Sequence, residues 1–354
     1  MEEPKSLIAV LQSIANSIKE RPEITKDKVA PNEFYEIVLS IAAHTFAANM
    51  VDTSGEGVTK IKKLIINGQK VTEVGEEAFA SSGITEVIFK DGVTTISKEA
   101  FLNCKSLTTI DWGKVHTLKG LSFQGCSALT SIDITESITT IYGGAFHSAT
   151  GVTEITVSDN NTEYRAEGNC IVSKTEQNFG TASSPNIVAA NTLIQGCKAS
   201  IIPDNIVAIG GSSFAGNISP SSIDIPEGVT SIGNYAFQNC TDLTAITMGD
   251  RVTTIGSAAF ISCGFTEIIL SADLTYLGYA ALSNSKCSVF DFSKCDANTP
   301  PTLGGEVFGT KHPTGGWKII IPYGSFGIWS AATNWVNYKT YMRYPDDTNP
   351  NETN

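Results

Sequence analysis

A basic surplus, long apolar runs and the usual signatures of catalysis are all missing from this sequence. Lys and Arg number 24 against 36 Asp and Glu, a formal net charge of -12. That balance disfavours a nucleic acid or an anionic membrane as partner. Only 17% of residues are charged, with Thr, Ser, Asn and Gly plentiful instead, a balance of extracellular character. No apolar run approaches the roughly 18 residues of a membrane span, which argues against direct membrane insertion. The opening Met1-Glu2-Glu3 is acidic and the apolar run Leu7 to Leu11 is too short for the core of a signal peptide, so no such peptide is read here. The four histidines, His44, His116, His147 and His312, are scattered and none forms H-E-x-x-H. No serine sits in a nucleophile elbow, and there is no phosphate-binding loop and no G-x-G-x-x-G after a strand. No C-x-x-C pair supports zinc or redox chemistry. The expectation is a non-enzymatic chain with no metal and no cofactor.

What the chain has instead is one sentence repeated. Val93 to Trp112 reads VTTISKEAFLNCKSLTTIDW, Val229 to Val252 reads VTSIGNYAFQNCTDLTAITMGDRV, and Ile138 to Val157 and Val252 to Leu270 follow the same wording. Phe79, Phe101, Phe123, Phe146, Phe214, Phe237 and Phe260 mark the period, with Leu282 in the last copy; the steps are 22, 22, 23, 68, 23, 23 and 22. Self-similarity at such a period predicts a solenoid. Within each copy an apolar pair alternates with polar residues, as in Ile110 and Trp112 or Ile132 and Ile134, which predicts a strand with one buried face. Stacked copies then build a parallel sheet along one side. The V-T-x-I-G-x-x-A-F segment returns on the other side, its Ala-Phe pair dropping into the core under a short helical or irregular turn. One copy cannot bury both its faces, so stability comes from stacking.

The pattern L-T-x-I-x-I-P-x-x-V-T-x-I-G-x-x-A-F-x-x-C resembles the BspA-like, Treponema-type leucine-rich repeat of bacterial surface proteins, over roughly Ile84 to Phe292. WKIIIPYGSFGIWSAATNW (Trp317 to Trp335) resembles the element that closes such arrays, and SDNNTEYRAEGNCIVSK (Ser158 to Lys174) resembles the family's inserted hairpin. The resemblance implies a leucine-rich-repeat solenoid, α/β to mostly β, and adhesion or recognition of a protein or glycan at the bacterial surface. The repeat is a generic scaffold, so it identifies no ligand.

The organisation expected is a helical module at 1–50, a connector and first strand at 51–70, the solenoid at 71–296 with an irregular insertion at 158–205, an aromatic-rich cap at 297–345, and a disordered tail at 346–354. Leu7, Ile8, Leu11, Ile14 and Ile18 fall at helical spacing, and a second helix is predicted from Pro31 to about Ala47. LQSIANSIKE, a spacer and FYEIVLSI resemble a small module near the start of some phage tail-associated proteins. The alternative function is therefore a structural or tail-associated part that forms a homo-oligomer through residues 1–50. In the insertion, 169–173 and 191–196 read as two strands of a hairpin or flap standing off the solenoid, with a flexible tip at 180–185. The cap holds Trp317, Trp329 and Trp335, either covering the open end of the last coil or forming a carbohydrate platform.

Cys104, Cys126, Cys240 and Cys263 occupy one repeat position, three residues after the core Phe, where other copies have Ser82, Ala149 or Asn217. A small residue is wanted there, and a buried thiol suits the slot; cross-coil disulfides are the alternative. Cys170 with Cys197 and Cys287 with Cys295 are better placed for bridges.

Two outward columns run along the predicted sheet. One reads Ile88, Asp111, Asp133, Thr156, Asp224, Thr247, Ile269, Asp291; the other includes Glu86, Thr109, Ser131, Glu154, Ser222, Ala245, Glu267 and Val289. Such an acidic, Thr-lined face either keeps an exposed sheet soluble or receives a ligand, and stacked carboxylates about 5 Å apart would repel. The ligand-face candidates are Asp111, Asp133, Glu154, Thr156, Asp224, Thr247 and Glu267, with the 158–205 insertion as the second candidate surface.

Overall fold

The computed structural model describes residues 36–39, 63–66, 72–179, 186–216, 221–283, 286–310 and 316–350. It divides into two compact units, 1–152 and 153–354, and each is a β-solenoid.

In the first unit the period-two segments pair in parallel as predicted. Glu36–Leu39, Lys63–Ile66, Glu86–Phe89 and Thr109–Asp111 form one four-stranded sheet. Val87 and Phe89 point into the core while Glu86 and Ile88 stay half-buried outside. The V-T-x-I segments, expected only to return the chain, build a second parallel sheet from Glu73–Val74, Thr95–Ile96, Thr117–Leu118 and Thr140–Ile141. Each of these strands is two residues long, too short for a period to show in the sequence.

The second unit repeats the scheme. Ala208–Ile209, Ser231–Ile232, Thr254–Ile255, Tyr276–Leu277 and Thr302–Leu303 stack in parallel. On the long-strand side Ser222–Ile225 pairs with Ala245–Met248, and Glu267–Ile269 with Val289–Asp291, Lys318–Ile320 and Met342–Arg343.

Between the two sheets of each unit the repeated phenylalanines stack ring on ring. Phe101 and Phe123 lie 5.1 Å apart with planes 2° off parallel, and Phe237 and Phe260 5.1 Å apart at 3°. The turn that carries them is not helical. The residues two before and two after the Phe take positive φ, as in Glu99 and Asn103 or Tyr235 and Asn239. Main-chain bonds between coils hold this turn, for example Phe101 N–H to the Ser122 carbonyl at 2.8 Å and Phe237 N–H to the Ala259 carbonyl at 2.8 Å. A glycine opens the turn in the second unit for a steric reason: a Cβ at Gly256 would stand 2.6 Å from the Asn234 nitrogen.

The residue before the Phe is Ala in most copies but Ser122 and Ser213 in two, and both hydroxyls are buried with no hydrogen-bond partner. An unsatisfied buried hydroxyl costs about 1–3 kcal/mol. Ser122→Ala, the residue of the neighbouring coils, is therefore expected to raise stability by about 1 kcal/mol, read as a higher urea midpoint at unchanged slope.

Several expectations are corrected. The second helix, predicted from Pro31 to about Ala47, meets a strand at Glu36–Leu39 that pairs with Lys63–Ile66; strand addition to a neighbour overrides the helical spacing of EIVL, whose β-branched residues suit a sheet. The first predicted helix and the rest of the 1–50 module lie outside the described residues, as does the tip at 180–185. The insertion does not stand off as a flap. Tyr164–Glu167 and Cys170–Ser173 form an antiparallel hairpin, and Cys170–Ser173 joins Thr192–Gln195, which continues into the parallel sheet. Cys170–Ser173 and Thr192–Gln195 are buried throughout. Gln177–Asn178 and Ile187–Val188 pair as a separate small antiparallel hairpin. The tail is ordered at its start: Tyr344 N–H donates to the Thr348 carbonyl at 3.0 Å, and Lys318 pairs with Asp347 at 2.9 Å. Residues 351–354 lie outside the described ones.

Candidate recognition face

The long strands expose one side chain in two, and the candidates all sit there. Asp111, Asp133, Glu154, Thr156, Asp224, Thr247 and Glu267 are exposed. Asp224 and Thr247 are register neighbours on paired strands. Glu267 stands opposite Val289, and Asp111 opposite Ile88. Asp291 is flanked by Ile269 and Ile320. In these pairings carboxylates alternate with neutral residues, so the repulsion expected of a continuous acidic column is largely avoided. Asp111 and Asp133 are not on hydrogen-bonded neighbours: the sheet ends at Thr109–Asp111, and a cleft of about 160 Å³ opens between it and Ser131–Ile134, bounded by Trp112, Leu129 and Phe146.

Some of these carboxylates also have a local structural task. Asp111 accepts the Gly113 N–H at 3.2 Å, Asp291 the Ser293 N–H at 2.7 Å, and Asp133 the Ser131 hydroxyl at 2.8 Å. The first two close turns at strand ends, as Asp does in many turns. The threonines before the strands direct their hydroxyls along the stack to the preceding coil, at the solvent-facing edge. Thr108 Oγ1 donates to the Thr85 carbonyl at 3.0 Å, Thr253 to the Thr230 carbonyl at 3.0 Å and Thr275 to the Thr253 carbonyl at 2.9 Å. The recurrent Thr of V-T-x-I and L-T-x-I is thus a coil-to-coil tie, a role invisible until the coils are stacked.

Half-exposed aromatics were not singled out by sequence reasoning. Tyr235, Tyr276 and Tyr279 are 45%, 41% and 54% exposed, and Ile201 reaches 77%. Ile201 has a sequence signal in hindsight: SIIPDNI lacks the alternation of SIDIPEGV and puts Ile where that copy has Asp224. The aromatic cap is a cover. Trp329 and Trp335 are fully buried and Trp317 nearly so, which removes their rings from any carbohydrate platform.

All eight cysteines are free and buried. Cys104, Cys126, Cys240 and Cys263 each donate to the carbonyl of the core Phe one coil earlier, Phe79, Phe101, Phe214 and Phe237, at 3.0, 3.3, 3.3 and 3.2 Å. The disulfide pairings Cys170–Cys197 and Cys287–Cys295 are not formed; Cys287 bonds to the Val289 carbonyl and Cys295 to the Ser271 carbonyl. Burial pushes the thiols of Cys170, Cys287 and Cys295 up to about 12. An unfolded thiol titrates near about 8.5. The fold therefore keeps protons that the unfolded chain releases, and the contribution of these three thiols to stability is fully present below about pH 8.5 and is lost as pH rises toward about 12. Iodoacetamide at pH 8 is expected to leave the native protein unmodified and to add eight adducts in denaturant, one per cysteine, as read by intact mass.

Among the described residues no group of His, Cys, Asp and Glu is arranged to hold a metal, and no helix is long and apolar enough to cross a membrane.

The sequence matches the family model of the BspA type leucine rich repeat region, in six copies, over residues 56–170 and 194–297. No curated protein matches it. Among solved structures, the pneumococcal vaccine antigen PcpA is similar with a TM-score of 0.61 at 15% identity, covering 90% of this chain and 89% of that one. A leucine rich cell surface protein from Faecalibacterium prausnitzii is similar with a TM-score of 0.52 at 19% identity, covering 85% of this chain and 84% of that one. At these identities the likeness is one of fold.

Proposed function

From its membership of the BspA-type leucine-rich repeat family, to which this chain belongs, we propose that it is a non-enzymatic binding protein that recognises a protein or glycan at a bacterial surface. The observation that carries this reading is the division of labour in each coil. Phe, Ile and the thiols fill the core, Thr ties coil to coil, and the outward residues of the long strands take no part in that core. Within each unit the coils are tied by main-chain bonds at 22- and 23-residue periods, so the face is held in place before a partner arrives and ordering it costs a partner little.

Each unit has its own candidate residues, acidic and Thr-lined: Asp111 and Asp133 in the first, and Glu154, Thr156, Asp224, Thr247 and Glu267 in the second. The similar structures described as a vaccine antigen and a cell surface protein support a surface location for this chain too. The 158–205 insertion buries the strands Cys170–Ser173 and Thr192–Gln195 but keeps exposed residues around them; the outward positions of the long strands, which recur from coil to coil, are the first candidate. Binding of the purified protein to bacterial and host-matrix preparations is expected to drop when Asp111 and Asp133 are both changed to Lys, with only a small shift of the melting curve from the two lost acceptors. Undiminished binding of that double variant would remove the first unit's face from the reading.

A further inference from the structure

One strand edge in the second unit is left open. The Ala245 N–H donates to the Ser221 carbonyl at 3.1 Å and the Gly249 N–H to the Ile225 carbonyl at 3.0 Å, so the odd-numbered positions of this strand face Ala245–Met248. Along a strand, alternate residues direct their N–H and C=O to opposite edges. The main-chain groups of Ser222 and Asp224 are thereby turned to the other side. The chain on that side is Ser200 to Asp204, and it is no strand. Pro203 has no N–H to give, and the Ile201 N–H is donated the other way, to the Gly168 carbonyl at 2.9 Å. Among the described residues no hydrogen bond joins Ser200–Asp204 to Ser222–Ile225. A cleft of about 330 Å³ lies between them instead, the room of roughly ten waters.

The walls of this cleft have a definite character. Asp204 and Asp224 both line it and are exposed, no Lys or Arg lines it among the described residues, and Ile201, 77% exposed, forms an apolar flank. Unpaired edge groups invite a further strand, two carboxylates without a basic neighbour call for a cation, and an aliphatic side chain at the rim calls for an apolar contact. We propose that the cleft takes a short extended peptide segment, which pairs with the open edge of Ser222–Ile225, sets a Lys or Arg against Asp204 and Asp224, and lays an apolar side chain over Ile201. Strand addition of this kind draws its affinity from main-chain bonds and its specificity from alternate side chains. The assignment rests on the reading of the chain as a binding protein and narrows it to one ligand class at one edge.

The test uses the full chain and a library of capped hexapeptides in which Lys, Glu, Val and Thr are permuted. Three proteins are compared: the native one, Asp224→Lys, and Ser222→Pro, which deletes the N–H aimed at the cleft while leaving the bonds to Ala245–Met248 in place. Native protein is expected to enrich Lys-containing alternating peptides. The best of these should bind either variant at least about tenfold more weakly, a loss of about 1.4 kcal/mol. N-methylation at alternate peptide positions should abolish binding, while N-methylation at the positions between should not. Unchanged melting of Asp224→Lys guards against a folding defect, and Asp224→Asn should fall between native and Lys. Enrichment of Glu peptides, enrichment of none, or binding by both variants as tight as by the native protein overturns the cleft. Glycans bound in place of peptides, with the same sensitivity to Asp224→Lys, overturn the ligand class. Surface-partner binding that is lost in the Asp111, Asp133 double Lys variant but kept in Asp224→Lys would leave the general recognition reading standing and remove the cleft alone.

Discussion

Phe237→Ala is expected to lower the stability of the second unit by about 3–5 kcal/mol, the range for removing a fully buried aromatic. Phe237 is wholly buried and stacked between Phe214 at 5.1 Å and Phe260 at 5.1 Å. Its loss empties one rung and deprives two rings of their partner, beyond the transfer term itself. The neighbours cannot collapse into the space, because each coil's turn is tied to the next by main-chain bonds such as Phe237 N–H to Ala259 and Phe214 N–H to Ala236, both 2.8 Å. The last copy supplies the control: Leu282 occupies the same slot, fully buried, with its N–H bonded to the Val307 carbonyl. Phe237→Leu should therefore cost markedly less than Phe237→Ala. Stacked repeats interact mainly with their neighbours, so the measurement is a urea melt together with hydrogen exchange by segment. Loss of protection in the coils around Phe214 and Phe260 is expected first. A melt unchanged from native would mean that the ladder of rings is not what holds the coils together.

Trp335→Ala is expected to cost a similar about 3–5 kcal/mol, at the far end of the same unit. Trp335 is fully buried, its Nε1–H donates to the Pro301 carbonyl at 2.7 Å, and its ring meets Phe292 at 5.1 Å and Trp329 at 4.8 Å. The substitution opens a cavity and leaves the buried Pro301 carbonyl without that donor, and both penalties act together. A solenoid's last coil has no following coil to cover it. Here a single helical turn, Phe326–Trp329, and a 3-10 segment, Trp335–Tyr341, supply the cover. Exchange protection should fail first at Val289–Asp291 and Lys318–Ile320, the strands beneath it, while Ser231–Ile232 keeps its protection. Trp335→Phe, which keeps most of the ring and loses the hydrogen bond, should recover much of the stability. Uniform loss across the unit would instead show that the cap and the coils unfold as one body.

The parts of this architecture that were legible in the sequence are those written in one copy and repeated. Phe101, Phe123, Phe237 and Phe260 recur at near-constant spacing, and a residue that recurs so while its neighbours vary is one whose environment repeats. The inward pairs such as Ile132 and Ile134 follow from the two-residue period of a strand, and the buried thiol slot from the small residues that alternate with Cys. The tryptophan-rich end reads as a cap because an apolar last coil needs one. The helical spacing of Phe34, Ile37, Val38 and Ile41 misled, since four of the residues in that span, Glu36–Leu39, pair with a strand 27 positions later. Likewise NCIVS and NTLIQG read as a flap, yet they carry the sheet onward.

By itself the sequence determined the period, the identity of the core and the number of outward positions, because each depends only on polarity along one coil. Tertiary structure alone decided how the coils meet. The second sheet, the threonine and cysteine bonds to carbonyls one coil away, and the alternation of Asp224 with Thr247 and of Asp111 with Ile88 are relations between residues 22 to 26 apart. So are the two places where neighbouring chains part, beside Thr109–Asp111 and beside Ser222–Ile225. A hydrogen bond needs both partners at about 3 Å, and polarity along one coil does not encode whether the next coil arrives at that distance.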